Sequence, residues 1–229
     1  MTLKITGISS MATRQVLAEL SAAYTQRSGV AVAIESVGGV DAAQRVQGGE
    51  AFDLVVLASD AIDRLMAGGV LSPGSRVDLV YSKVALAVPA GATRPDIGSE
   101  AAVKQAVLAA ASLGYSTGPS GNFLLRLFER WGIAEVMRSR LVLAPPGVPV
   151  GAMLARGDVA LGFQQLSELL NLPGVDVLGT LPPAIETITT FAAATGLATA
   201  QAAAVQALLA FITSPQASET IRRHGMVPA

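Results

Sequence analysis

The chain has 229 residues, 51% of them apolar and 14% charged, so it can bury a sizeable core and is not a disordered polymer. A net charge of −1 without a basic run excludes the electrostatic footprint of a nucleic-acid binder. The absence of cysteine excludes disulfides, thiolate nucleophiles and cysteine-based metal sites, and one histidine, His224, rules out a His-rich metal centre.

The predicted elements alternate. Leu3–Gly7 reads as a buried strand. Thr13–Ser28 reads as a helix, with Val16, Leu17 and Leu20 at helical spacing and Gly29 where a C-cap glycine belongs. Val30–Ser36 alternates as a strand does. Asp41–Gln47 is a short helix ended by Gly48-Gly49. Phe52–Ala58 is continuously apolar, as a strand covered on both faces should be, and Ala61–Gly68 is a helix. This β-α-β-α-β order predicts an α/β fold with a parallel sheet.

Val77–Val88 is too long for an ordinary strand and reads as one that leaves one sheet for another. A second α/β set follows: helix Ser99–Ala111, strand Leu113–Tyr115, helix Asn122–Gly132, strand Leu141–Leu143, helix Val150–Gly157, strand Val159–Phe163, helix Leu166–Leu170 and strand Val175–Leu178. Leu181–Phe191 reads as a second extended crossing, and Thr199–Thr213 and Pro215–His224 are helical. Two crossings imply two lobes, 1–81 with 190–229 and 82–189. Each lobe is a mixed, mostly parallel sheet flanked by helices, and two hinge strands join them. A ligand is expected in the cleft, at the carboxyl ends of strands.

Met1 leads directly into a strand, without the basic start, apolar stretch and cleavage site of a leader. A periplasmic location is expected if a leader has been removed, and a cytoplasmic one if Met1 is the native start. No apolar run is long enough to suggest a membrane span, and a monomer is expected.

The candidate binding residues cluster after strands. Ser9 and Ser10 follow the first strand and precede a helix, a junction that presents free backbone N–H groups and a positive helix end to an anion. Gly38-Gly39 follows the second strand, where side-chain-free residues let backbone amides approach an anion. Each also has a purely structural reading, as helix caps and as a tight turn. Ser116-Thr117-Gly118-Pro119-Ser120-Gly121-Asn122 is the richest loop and aims a second helix N-terminus. Gln164-Gln165 ends an apolar strand with donors suited to a carboxylate. Arg14, one turn beyond Ser10, is a candidate partner for a ligand carboxylate or an ordinary exposed arginine. Glu35 and Glu168 are candidate general bases if burial raises their pKa, and otherwise solvated carboxylates.

The chain resembles the molybdate-binding-protein family of type II periplasmic solute-binding proteins. The resemblance rests on Gly7-Ile8-Ser9-Ser10-Met11, Gly48-Gly49-Glu50-Ala51-Phe52-Asp53-Leu54, Ala58-Ser59-Asp60, Gly118-Pro119-Ser120-Gly121 and Ala155-Arg156-Gly157-Asp158-Val159-Ala160-Leu161-Gly162-Phe163. It implies two lobes closing by hinge motion on a small anionic ligand, no cofactor or metal, and an ABC-transporter permease as partner if the protein is exported. Of the family's oxyanion site, Ser10, Ser120 and Val148 match. Gly38-Gly39 stands where a serine is expected, and Gln165 replaces a tyrosine. These changes imply an organic carboxylate in preference to molybdate. The Gly-Phe-Gln-Gln-x-Ser-Glu-Leu pattern, Gly162 to Leu169, resembles an aconitate-isomerase-like sub-branch, so an isomerase moving a double bond by proton transfer is the alternative to a binding protein.

Overall fold

The computed structural model describes residues 3–229. Met1, on which the expectation about the start of the chain rests, lies outside them. The chain forms two compact units: the residues up to Ser82 together with Thr189–Ala229, and Lys83–Ile188.

The first unit opens with β1 (Lys4–Ser10), α1 (Arg14–Ser28), β2 (Ala31–Val37), α2 (Gly39–Gln47), β3 (Leu54–Ala58) and α3 (Ser59–Ala67). β1 is central and pairs in parallel with β2 and β3. Every residue of β3 is buried, which explains its unbroken apolar run. α1 ends at Gly29 with φ 74°, a left-handed cap that a residue with a Cβ adopts at a cost. β4 (Val77–Pro89) begins in this unit and continues into the second.

The second unit holds α4 (Glu100–Ala109), β5 (Leu113–Tyr115), α5 (Pro119–Trp131), α6 (Ala134–Met137), β6 (Leu141–Leu143), α7 (Val150–Ala155), β7 (Leu161–Gln165), α8 (Leu166–Leu169) and β8 (Val175–Thr180). β5 pairs in parallel with β6 and β7, whereas β4 runs antiparallel to β7 and β8. The Ser99 hydroxyl caps α4 by accepting from the Ala102 N–H at 3.1 Å. Phe128, Leu124 and Phe163 are fully buried in the core on the α4 and α5 side, and Val150, Leu154 and Leu169 fill the core under α7 and α8.

The chain returns to the first unit through β9 (Ile188–Thr195), which pairs antiparallel with β3, then α9 (Ala202–Ile212), α10 (Ser218–Arg223) and β10 (Met226–Pro228). Its sheet is covered by α1 and α9 on one face and by α2 and α3 on the other. Glu19 of α1 accepts from Arg223 and pairs with His224 at 2.8 Å, fastening the C-terminal helix.

The elements differ from expectation in several places. β1 runs on to Ser10, so Ser9 and Ser10 lie within the strand and not after it. Leu181–Phe191 is not one extended stretch: a short 3-10 turn, Pro183–Ile185, interrupts it, and β9 begins only at Ile188. Pro182-Pro183 fixes φ and removes N–H donors, so that segment cannot join a ladder. β7 runs two residues further than expected, so Gln164 and Gln165 lie within the strand. α2 and α5 start earlier, at Gly39 and Pro119, which places Gly39, Ser120 and Gly121 inside first helical turns. The short α6 and β10 carry too few residues to show a period.

Candidate functional site

In the first unit, Ser9 and Ser10 are both buried, at 0% and 7% exposure. They are successive residues of one strand, so their side chains leave opposite faces. The Ser9 hydroxyl is spent on Ser36 of β2, with the oxygens 2.8 Å apart. That contact follows from the β1–β2 register, which sets Ser9 opposite Ser36. The Ser10 hydroxyl is buried with no hydrogen-bond partner among the described residues. A buried, unsatisfied hydroxyl costs about 1–3 kcal/mol, which a ligand acceptor would recover.

Gly39 stands beside Ser10: a Cβ built on it would lie 3.6 Å from the Ser10 Cβ, with nothing else within 4 Å. It is the first residue of α2, so its N–H is among those that the helix leaves free. Gly38 is the N-cap, and a Cβ there would meet the Asp41 carboxylate at 3.2 Å. The structure thus brings Ser10 and Gly39 together, while Ser9 supports the sheet. Arg14 opens α1 and is exposed. Glu35 is exposed and ion-paired with Arg45 at 2.8 Å. The Arg45 guanidinium, which also binds Glu50, holds the Glu35 carboxyl below its ordinary range. Glu35 is therefore a solvated, paired carboxylate and not a base.

In the second unit, Ser120 and Gly121 form the buried start of α5, whereas Asn122 is exposed. Gly121 is sterically required: a Cβ there would lie 1.7 Å from the Ser116 carbonyl oxygen. The loop folds back onto its own helix, and Ser116 lies half-buried over the first turn. Val148 is half-buried before α7, packed on the core under that helix. Gln164 and Gln165, each 2% exposed, end β7 opposite Ala85 and Val84 of β4. They too lie on opposite faces of their strand.

Gln164 donates from Nε2 to Oε2 of Glu168 at 2.7 Å, while its Oε1 is buried with no partner among the described residues. Glu168 is half-buried, and the depth of protein around its carboxyl pushes the pKa up to about 8. Desolvation is the whole cause, with no cation lowering it. In the sequence Glu35 and Glu168 stand equal as candidate bases. The four-residue spacing of Gln164 and Glu168 across a strand-to-helix junction was the available signal that separates them. Among the described residues no cluster of acidic or histidine side chains could hold a metal ion. No helix there is long and apolar enough to cross a membrane.

Each unit by itself holds polar groups able to meet a ligand: the first the unpartnered Ser10 hydroxyl beside the α2 N-terminus, the second the α5 N-terminus and the Gln164–Glu168 pair. Comparison with known proteins agrees with the fold. Residues 5–227 match the family model of bacterial extracellular solute-binding proteins. The chain is 36% identical to an aconitate isomerase from Pseudomonas sp, over 98% of this chain and 87% of that protein. The Azotobacter vinelandii periplasmic molybdate-binding protein superposes with a TM-score of 0.81 at 20% identity, over 97% of this chain and 98% of that one. The tungstate-binding protein TupA from Desulfovibrio alaskensis G20 gives 0.70 at 14% identity, over 100% and 99%. The architecture is that of the periplasmic binding proteins, mixed α/β with flanking helices, and the chain belongs to the bacterial extracellular solute-binding protein family.

Proposed function

We propose that the protein binds a small organic carboxylate in preference to a tetrahedral oxyanion. The observation that carries this reading is the side-chain-free Gly39 beside the buried, unpartnered Ser10 hydroxyl. One donor stands ready, and the adjacent volume, which a serine would fill, stays open to a longer acid. The second unit by itself carries the α5 N-terminus at the buried Ser120 and the buried amide of Gln164, neutral groups that suit a carboxylate. Hydrogen bonds of this kind to a carboxylate are worth about 1.5–3 kcal/mol each. If the protein is exported, the permease of an ABC transporter is the partner, since two solved proteins of the same fold are named as parts of molybdenum and tungstate ABC transporters.

A second reading is favoured by Glu168 and by the relative named aconitate isomerase. A carboxyl ionising near pH 8 suits proton transfer at a carbon next to a carboxylate. One base could take a proton from the methylene carbon, the double bond would shift by one position, and the proton would return to the former vinylic carbon. Atoms and charge balance without a cofactor.

A thermal-shift screen of di- and tricarboxylates against molybdate, tungstate and sulfate tests the binding reading. A tight ligand raises Tm by mass action. A shift with carboxylates only is expected, and one with the oxyanions only would reject the reading. Incubation with trans-aconitate, followed by ultraviolet absorbance and chromatography of the cis isomer, separates enzyme from binder.

A further inference from the structure

We infer that Glu168 is a positioning residue that sets which end of the Gln164 amide is offered to an anionic ligand. This rests on the reading above, that the end of β7 faces the ligand.

The geometry allows two arrangements of the pair. With Glu168 ionised, the carboxylate takes the Gln164 N–H across the 2.7 Å contact, and the buried carbonyl Oε1 is left as the unpartnered end. Oxygen there repels an anion. With Glu168 protonated, the amide turns over: Oε1 accepts the carboxylic O–H at the same separation, and the NH2 group takes the unpartnered place as a donor. The two atoms of an amide occupy nearly the same volume, so neither arrangement disturbs the packing. Gln164 is buried against Ala85, so the amide has no water to satisfy its free end.

The surroundings carry no other charge that would do this work. α7, packed against α8, bears no titratable side chain, and neither does β7. On β8, Asp176 accepts from the Gly91 N–H at 3.0 Å. On β4, Lys83 is paired with Glu186 at 2.6 Å. Arg156 and Asp158, which follow α7, pair with each other at 2.8 Å. Burial alone sets the Glu168 carboxyl at about 8, close enough to neutrality for a ligand to move it. An incoming anion favours the protonated pair twice, by accepting from the otherwise unpartnered NH2 group and by repelling a second negative charge. Anion binding is therefore linked to proton uptake.

Calorimetry with trans-aconitate and with molybdate, each in two buffers of different ionisation enthalpy, measures that uptake. In the wild type, uptake should approach about one proton per ligand at pH 9, and affinity should fall about tenfold per pH unit above 8. Glu168→Gln, of nearly the same shape and always neutral, should bind with no uptake and no such fall. Binding of either probe by the wild type without proton uptake overturns the inference and leaves the binding reading standing. Uptake retained in Glu168→Gln assigns the proton to another group and also overturns it. Failure of both probes to bind rejects the anion site, and this inference with it.

Discussion

The carbonyl oxygen of Ser116 occupies the space that a side chain on Gly121 would need, 1.7 Å from the ideal Cβ position. The contact seats the Ser116–Gly118 loop on the first turn of α5, where Ser120 is buried. Gly121→Ala should therefore push the loop off the helix. Overpacking of this kind costs about 1–3 kcal/mol, and more where backbone must move. Urea unfolding should show that loss, and ligand affinity should fall with it. A fully stable Gly121→Ala protein would show that the loop is not held this way.

Gly39 behaves differently. It has no positive φ, and an added methyl would meet only the Ser10 Cβ, at an ordinary 3.6 Å. Gly39→Ala should leave the melting temperature unchanged or slightly raised, since alanine loses less entropy than glycine on entering a helix. Carboxylate binding should weaken at least several-fold, because the methyl fills the space beside the Ser10 hydroxyl. Unchanged affinity would remove Gly39 from the site.

Asp53 ties three segments of the first unit together. It accepts from the Thr6 N–H at 2.8 Å, the Thr6 hydroxyl at 2.9 Å and the Thr199 hydroxyl at 2.5 Å. Burial raises its pKa, but the bonds from Thr199 and Thr6 outweigh it and hold the carboxyl below its ordinary value of 3.8. Folding therefore favours the ionised form. The stabilisation is complete above about pH 5 and is lost as pH falls through the native pKa. Asp53→Asn should cost about 1–3 kcal/mol at pH 7. Its difference from wild type should shrink toward pH 3, as denaturant titrations across that range will show.

Glu168 has the opposite sign. Its native pKa, about 8, lies above the ordinary 4.5, so the native state holds the proton more tightly than the unfolded chain. Its effect on stability is most favourable below about pH 4.5 and is lost as pH rises through 8. Glu168→Gln should be flatter than wild type between pH 5 and 9 in thermal unfolding, and relatively more stable at the alkaline end. Parallel profiles for the two proteins would place the Glu168 carboxyl in water.

The alternating elements were legible because their signals are local: the apolar run of β3, the helical spacing of α1 and its left-handed Gly29. Ser10 carries a local signal too, a serine between a buried strand and a helix being either a cap or a free donor, and its hydroxyl makes no capping bond. Ser9 could not be separated from it, because its partner Ser36 is set by strand register 27 residues away. The position of Glu168 was equally hidden. Its environment depends on α7 packing over the end of β7, a contact that no periodicity encodes. Pro182-Pro183 was misread in the other direction, as its extended φ values resemble a strand without being able to join one.

The central claim is ligand class, and competition calorimetry at pH 7 tests it most directly. By the resemblance, Gly39 stands where a serine is expected and Gln165 where a tyrosine is, so two short donors that a tetrahedral oxyanion would use are missing. At about 1–3 kcal/mol for each unmet acceptor, oxyanion binding should be weakened roughly 30-fold or more. With trans-aconitate and molybdate titrated against the same protein, the account predicts that trans-aconitate binds more tightly and displaces molybdate. Nanomolar molybdate binding that trans-aconitate cannot displace would contradict it.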